Sequence, residues 1–100
     1  MGIAETPVQG SVVLAHEAGL HARPSVKLTK LAKTFAASIE IAVTTDGPWI
    51  DAKSVAKVMA MKAPRNSELL FRAAGADAAA AIAALIDLVN RDFDEAQADA

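Results

Sequence analysis

The sequence predicts a single α+β domain, built as a two-layer open-faced sandwich in which three helices cover one face of a four-stranded antiparallel sheet. The hydrophobic period switches repeatedly between two and about 3.6 residues along the chain. Alternating, half-buried strands are typical of an antiparallel sheet with one solvent-exposed face. The chain has 100 residues, enough for one hydrophobic core and too few for two.

The first half of the chain predicts a strand, a helix and a second strand. Apolar and polar positions alternate over residues 8–14, which is typical of a strand. Leu28, Leu31, Ala32 and Phe35 then recur at helical intervals, so a helix begins near His21. Strict alternation over residues 38–44 predicts a second strand with one buried face.

The second half predicts a hairpin, a short helix, a strand and a long helix. Residues 46–48 (DGP) mark a turn, after which residues 49–52 return as a short strand. Residues 54–61 have helical spacing and residues 69–73 alternate. Asp77 is the predicted N-cap of the last helix. The apolar stripe of that helix consists of Ile82, Leu85, Ile86, Val89 and Phe93. The order is therefore β-α-β-β-α-β-α.

Composition excludes several classes of protein. A formal net charge of −2 disfavours a general nucleic-acid binder. Without cysteine there is no disulfide, thiol nucleophile or cysteine zinc site. No segment approaches the roughly 20 apolar residues that span a bilayer, and we expect a cytoplasmic protein without membrane insertion. The predicted domain covers residues 7–94, with flexible tails or linker ends at 1–6 and 95–100.

Residues 19–25 (GLHARPS) form the most informative segment. Gly19 permits a tight turn into the helix, and Pro24 suits the first helical turn, where a backbone N–H has no intrahelical partner. Unpaired N–H groups and the positive end of the helix dipole attract phosphate at this position. Arg23 adds fork-shaped donors for phosphoryl oxygens. The pattern indicates that His21 carries a phosphoryl group.

Histidine spacing does not favour a metal site. His16 and His21 lie five residues apart with Gly19 between them, so the two rings do not share a helix face as a zinc protease motif requires. His16 is therefore predicted to be a loop residue. No glycine-rich loop with a following lysine is present to cradle a nucleotide. We predict neither a metal nor a cofactor.

This motif, following a first strand, resembles the phosphorylation site of HPr, the histidine-containing phosphocarrier of the bacterial phosphoenolpyruvate sugar phosphotransferase system. The resemblance extends from about Val8 to Phe93. It implies that His21 accepts a phosphoryl group on Nδ1 from enzyme I and passes it to an EIIA-type domain, while Arg23 neutralises charge on the phosphoryl oxygens. The chain would be a phosphohistidine carrier, a transfer intermediate rather than a free-standing catalyst.

A second match lies at residues 51–55 (DAKSV), where HPr proteins carry a serine at the start of the second helix. In many of them an ATP-dependent HPr kinase phosphorylates that serine, and the added charge weakens transfer from enzyme I. The resemblance thus implies a regulatory site at Ser54. The same residue also fits an N-cap of the second helix, and both interpretations stay open.

A partner surface is expected around His21. Leu20, Val55 and Met59 are predicted to form an exposed apolar patch, although core packing is an equal alternative for Met59. Basic residues would surround that patch, which suits a transient partner with an acidic rim. They are Arg23, Lys27, Lys30 and Lys53. We expect the protein itself to be a monomer.

Two departures from the family pattern leave the partners open. Ala18 stands where many members carry a polar residue, and Lys62 replaces a glycine common after the second helix. Such differences resemble HPr-like domains of multidomain phosphoryl-transfer proteins. The alternative function is a regulatory protein-binding module of this fold, acting in a nitrogen-related or dihydroxyacetone-kinase phosphorelay rather than in sugar uptake.

Overall fold

A computed structural model describes residues 7–94, and its elements follow the predicted order. The predicted tails, 1–6 and 95–100, lie outside the described residues. A 3-10 turn at Asp92–Asp94, called the 92–94 turn below, follows the last helix. The elements are β1 (Val8–Val13), α1 (Ala22–Lys33), β2 (Ser38–Ala42), β3 (Ile50–Asp51), α2 (Val55–Ala60), β4 (Glu68–Ala74) and α3 (Ala78–Asn90).

The four strands form one antiparallel sheet in the order β1-β4-β2-β3, which confirms the predicted fold class. β4 is central and pairs with β1 on one side and β2 on the other. The predicted hairpin is also confirmed, because Glu40 of β2 pairs with Asp51 of β3. The β-α-β-β-α-β-α order thus places the first and last strands side by side.

The core lies between the sheet and the helices. In β4, Leu69, Phe71 and Ala73 are buried while the alternate residues are partly exposed, as the period of two predicts. Leu28 of α1 and Leu85 of α3 are fully buried on the helix side of this core. Burial of each such large side chain contributes about 1.5–3 kcal/mol to the free energy of unfolding.

The other sheet face is open and carries polar contacts. The Arg72 guanidinium donates to Glu40 Oε1 at 2.6 Å and lies 4.2 Å from the centre of the Trp49 ring. These contacts connect β4 with β2 and with the loop before β3. Over residues 7–94, no helix is long and apolar enough to cross a membrane.

Asp77 is the N-cap residue of α3, as predicted, but its side chain has its partners elsewhere. The Asp77 side chain makes no cap hydrogen bond; its two carboxylate oxygens instead accept from the N–H groups of Ala36, at 2.9 Å, and Ala37, at 2.8 Å. These amides lie in the loop between α1 and β2. Asp77 therefore joins the end of α1 to the start of α3.

The predicted apolar stripe of α3 is wrong at its end. The helix ends at Asn90, and φ is positive at Asp92 (55°), Phe93 (56°) and Asp94 (62°). This left-handed backbone turns the chain back toward α1, where the Phe93 ring is completely buried. Phe93 belongs to the core, as predicted, but it does not extend the helix.

Candidate functional site

The candidate site lies where the β1–α1 loop meets the α2–β4 loop. The Leu14 N–H donates to the carbonyl oxygen of Ser67 at 2.8 Å, and the Asn66 N–H donates back to the Leu14 carbonyl at 2.7 Å. A third bond, 2.8 Å long, runs from the Leu20 N–H to the Ala63 carbonyl. The two loops therefore form one hydrogen-bonded platform beneath the start of α1.

Gly19 occupies the tightest point of this platform. Its φ is +77°, in the left-handed region that favours glycine, and a Cβ atom here would lie 2.6 Å from the Ala63 carbonyl oxygen. The Gly19 N–H also donates to the His16 carbonyl at 2.9 Å. A glycine is needed at this position both for its backbone conformation and for the close approach of the two loops.

His21 is the N-cap of α1. Its backbone is extended, with φ −95° and ψ −160°, and its carbonyl accepts the first helical bond from the Ser25 N–H at 3.0 Å. Pro24 is buried in the first turn, as predicted. The exposed His21 side chain makes no cap hydrogen bond. The imidazole thus faces solvent beside the N–H groups of the first helical turn, which have no intrahelical acceptor.

His21 lines a shallow depression of about 420 Å³ between α1 and the α2–β4 loop. Met59 lines the same depression and is 40% exposed, which agrees with its predicted place beside the histidine. The prediction of an exposed Leu20 is wrong: this side chain is only 2% exposed, because its backbone is bonded to the other loop and its side chain belongs to the core.

The basic residues of α1 form a groove next to this depression. Arg23, Val26, Lys27 and Lys30 line a groove of about 330 Å³, and Ala22 lines both the groove and the depression. Arg23 and Lys30 are exposed. Lys27 is half-buried, and its Nζ donates to the Phe93 carbonyl at 2.9 Å. The helix face beside His21 is therefore basic with an apolar centre.

Lys53 and Val55, which belong to the predicted partner surface, lie on residues 51–55 (DAKSV) and do not line the His21 depression. Lys53 Nζ donates to the Phe35 carbonyl at 2.7 Å, and Lys53 lines a separate depression with β2 residues. Val55 is half-buried at the first position of α2. The predicted N-cap is confirmed, because the Ser54 hydroxyl accepts from the Lys57 N–H at 3.3 Å.

Two residues near His21 were not predicted as site members. His16 lies in a loop, as predicted, but it is 9% exposed, and its ring centre lies 5.1 Å from that of His21. Lys62 lines the His21 depression with its backbone in the left-handed region, at φ 52°. The sequence contained one signal for each: Gly19, which turns the chain between the two histidines, and Lys62, which replaces a glycine common in the family.

The groups at this site are an exposed imidazole and a nearby guanidinium beside a helix N-terminus. Within residues 7–94, no group of three or more histidines, cysteines and acidic residues is placed to hold a metal ion. An exposed imidazole, a guanidinium two residues later and a helix N-terminus together suit phosphoryl transfer to nitrogen. The fold and the site thus define a small α+β domain with an exposed histidine at a helix start, an arrangement suited to phosphoryl exchange.

Comparison with known proteins gives the family. The family model described as "PTS HPr component phosphorylation site" matches residues 8–91. The chain therefore belongs to the PTS-HPr family, the phosphocarrier proteins of the phosphotransferase system.

Similar proteins include both short and long chains. The chain is 33% identical to the phosphocarrier protein HPr of Cupriavidus necator over 90% of its own length and 99% of that protein. It is 41% identical to a multiphosphoryl transfer protein of Vibrio cholerae over 77% of its own length, but spans only 20% of that larger protein. The crystal structure of HPr-C-His from Thermoanaerobacter tengcongensis superposes with a TM-score of 0.80 and 28% identity, covering 88% of this chain and 97% of the other.

Proposed function

We propose that His21 accepts a phosphoryl group from phosphorylated enzyme I and passes it to a histidine of an EIIA-type domain. The exposed His21 imidazole at the N-cap of α1 is the observation that carries this proposal. The ring is not used to cap the helix, so an incoming phosphoryl group meets both the imidazole and the first-turn N–H groups. Family membership supports the same assignment.

The chemistry is an exchange between two nitrogen atoms. The lone pair of His21 Nδ1 forms a bond to phosphorus while the bond from phosphorus to the donor histidine breaks and returns its electron pair to the donor ring. Negative charge on the phosphoryl oxygens is stabilised by the helix N-terminus and by the Arg23 guanidinium. The reverse sequence at the EIIA-type domain releases the group.

The surroundings of His21 supply a surface for such partners. Met59, 40% exposed, lines the depression with His21, and Val26, 43% exposed, lines the adjoining groove. Arg23 and Lys30 give this surface positive charge. A partner with an apolar contact and an acidic rim would therefore be steered to it and released again quickly. A monomeric state and a cytoplasmic location stay predictions.

Phosphorylation by phosphoenolpyruvate and enzyme I tests the proposal. We expect the wild-type chain to gain one acid-labile, base-stable phosphoryl group by mass spectrometry, and His21→Ala to gain none. Arg23→Ala should transfer about tenfold more slowly, with Arg23→Lys intermediate because it keeps the charge and loses the fork. The proposal fails if no cognate enzyme I labels the wild type, or if His21→Ala is labelled equally.

Partner identity separates the alternative function. A nitrogen-related or dihydroxyacetone-kinase phosphorelay would use the same His21 chemistry with a different donor and acceptor. Transfer rates to and from each candidate partner therefore distinguish these pathways from sugar uptake. After His21→Ala, a regulatory module of the same fold would bind its partner equally well and so keep its function. A carrier with the same change would bind its partner but lose its function, because it would pass no phosphoryl group to the acceptor.

Ser54 carries a second, regulatory proposal. Its hydroxyl already caps α2, and α2 also contributes Met59 to the His21 depression. A phosphate on Ser54 would add negative charge to a surface that otherwise attracts acidic partners. We expect HPr kinase and ATP to add an acid-stable phosphate that Ser54→Ala lacks, and that phosphate to slow transfer from enzyme I. Labelling elsewhere in Ser54→Ala would contradict this.

Ser54→Ala also removes the cap, so its stability needs a separate control. Loss of a serine N-cap lowers the free energy of unfolding by about 0.5–2 kcal/mol. Ser54→Asp restores a capping oxygen without an attachable hydroxyl, and should match the wild type in stability while remaining unlabelled. Urea unfolding of the three proteins separates the cap from the modification.

A further inference from the structure

We infer that His16 is a positioning residue for His21: its buried ring packs edge to face against the His21 imidazole and fixes the direction in which Nδ1 meets the phosphoryl donor. The inference rests on the proposed function of His21. The ring centres lie 5.1 Å apart at an interplanar angle of 60°, a favoured geometry for an aromatic pair. His21 itself is exposed and its side chain makes no cap bond, so this contact restrains its ring.

The His16 ring also packs against a second aromatic ring. The Phe93 ring, fully buried, lies 5.9 Å from the His16 ring at an interplanar angle of 69°. Phe93 is in turn held by the left-handed 92–94 turn and by Lys27 Nζ, which bonds its carbonyl. The three rings form a chain from the buried core to the exposed imidazole. Residues from both ends of the described chain therefore set the position of His21.

The His16 ring also has a defined orientation. Its Nδ1 accepts the Ala18 N–H at 3.3 Å, and this hydrogen bond orients the ring with Nδ1 toward the loop backbone. The His16 carbonyl accepts the Gly19 N–H. The His16 side chain therefore makes two separable contacts. Its Nδ1 accepts a hydrogen bond within the loop, and its ring packs against His21.

Positioning matters because an attack on phosphorus needs the nitrogen lone pair in line with the breaking bond. A freely rotating imidazole presents Nδ1 in only a fraction of its rotamers. Aromatic pairs of this geometry contribute a coupling equivalent to about a twofold to tenfold change. We therefore expect loss of the His16 ring to slow phosphorylation of His21 about fivefold.

Two matched variants separate the ring from the acceptor. His16→Asn keeps an oxygen that accepts the Ala18 N–H and loses the ring, whereas His16→Phe keeps a ring and loses the acceptor. Phosphoramidate serves as donor, since it needs no protein partner. His21 Nδ1 forms the bond to phosphorus, the phosphorus–nitrogen bond of the donor breaks, and ammonia leaves with a proton from water.

We expect His16→Asn to react about fivefold more slowly than wild type and His16→Phe to react within about twofold of it. The His21 ring should also show greater NMR mobility in His16→Asn than in the other two proteins. An unchanged rate in His16→Asn, or equal slowing of both variants, overturns the inference. A comparison of urea midpoints excludes partial unfolding as the cause.

A third variant keeps the test decisive if a His16 variant does not fold. Phe93→Leu leaves His16 and a buried apolar side chain in place but removes the supporting ring; slowed phosphorylation supports the inference and an unchanged rate contradicts it. The enzyme I assay shows separately whether the proposed function fails. If phosphoramidate labels His21 with the expected variant pattern while enzyme I labels nothing, the proposed function fails and the positioning role stands.

Discussion

Lys62 and Gly19 show how single backbone conformations shape the surroundings of His21. Both have positive φ, and both lie where the β1–α1 and α2–β4 loops meet. Gly19 adopts this conformation without strain, whereas Lys62 carries a Cβ that the left-handed region disfavours by about 1 kcal/mol. The Lys62 N–H bonds the Met59 carbonyl at 3.1 Å and completes the turn after α2.

Replacement of Lys62 by glycine should therefore stabilise the protein. We expect Lys62→Gly to raise the free energy of unfolding by about 1 kcal/mol, because glycine occupies φ 52° without a Cβ clash. Urea unfolding monitored by circular dichroism measures this change. Lys57→Gly is the matched control: Lys57 is exposed within α2, and glycine there should lower the same quantity by about 1 kcal/mol. A loss of stability in Lys62→Gly would contradict the strain argument.

His21 and Arg23 were predictable as neighbours of a helix start because they lie in one short segment with Pro24. The place of His16 was not predictable in the same way. Its loop position is correct, but its burial depends on Phe93, which comes from the other end of the described chain. Periodicity describes local structure and contains no information on such a contact.

At the scale of elements, contacts between loops and helix ends join the parts of the fold. Asp77 accepts two backbone N–H groups from the loop after α1, and this loop leads into β2. The sequence signal, an aspartate before an alanine-rich helix, predicts a cap at α3 because that is the local option. In the folded chain, the Asp77 carboxylate instead accepts hydrogen bonds from the N–H groups of Ala36 and Ala37.

The Asp77 contact makes stability depend on pH. The N–H of Ala36 is the main cause that lowers the pKa of Asp77 below its ordinary value of 3.8, and the N–H of Ala37 adds to it. A carboxyl group with a lowered folded pKa binds protons more readily when unfolded. Its stabilising contribution is therefore complete above pH 3.8 and is lost as the pH falls through the folded pKa.

Asp77→Asn tests this dependence. The amide keeps one accepting oxygen and no charge, so we expect a lower urea midpoint than wild type at neutral pH. The gap should narrow as the pH falls below 3.8, because the wild-type carboxyl then becomes protonated. Asp46→Asn, an exposed change in the loop after β2, is the control and should match the urea midpoint of the wild type at neutral pH. A gap that does not vary with pH would refute the assignment.

Element boundaries were predictable to within one or two residues, apart from the end of α3. β2 ends at Ala42 rather than at residue 44, and α2 covers Val55–Ala60 within the predicted 54–61. The 92–94 turn was missed because Phe93 falls on the helical stripe by spacing alone. Burial of its ring against His16 is a tertiary requirement.

At the scale of the whole molecule, one sheet and one core support the site. Phe71 of the central strand β4 lies opposite Gly10 on one side and Ile41 on the other. A Cβ at Gly10 would lie 2.8 Å from Ile82 and Ile86, so α3 packs closely on β1 at this point. The close approach of helix and sheet leaves little room for a change of volume.

Truncation of Phe71 should therefore affect the complete fold. We expect Phe71→Ala to lower the free energy of unfolding by about 3–5 kcal/mol, because it opens a cavity in a fully buried region. Val13→Ala, on a residue that is 56% exposed, should change it by less than about 0.5 kcal/mol. Thermal and urea unfolding measure both. Equal effects of the two changes would mean that the core is not centred on β4.

The sequence by itself determined the order of elements, the fold class and the placing of His21 and Arg23 at a helix start, because hydrophobic period, turn residues and a short motif are local properties of the chain. Only the tertiary structure decided which other side chains surround that start and which of them belong to the core. His16 and Phe93 meet behind the imidazole, Lys62 borders it, and Leu20 belongs to the core. These contacts depend on loop paths and left-handed backbone positions, which arise when the two layers pack together.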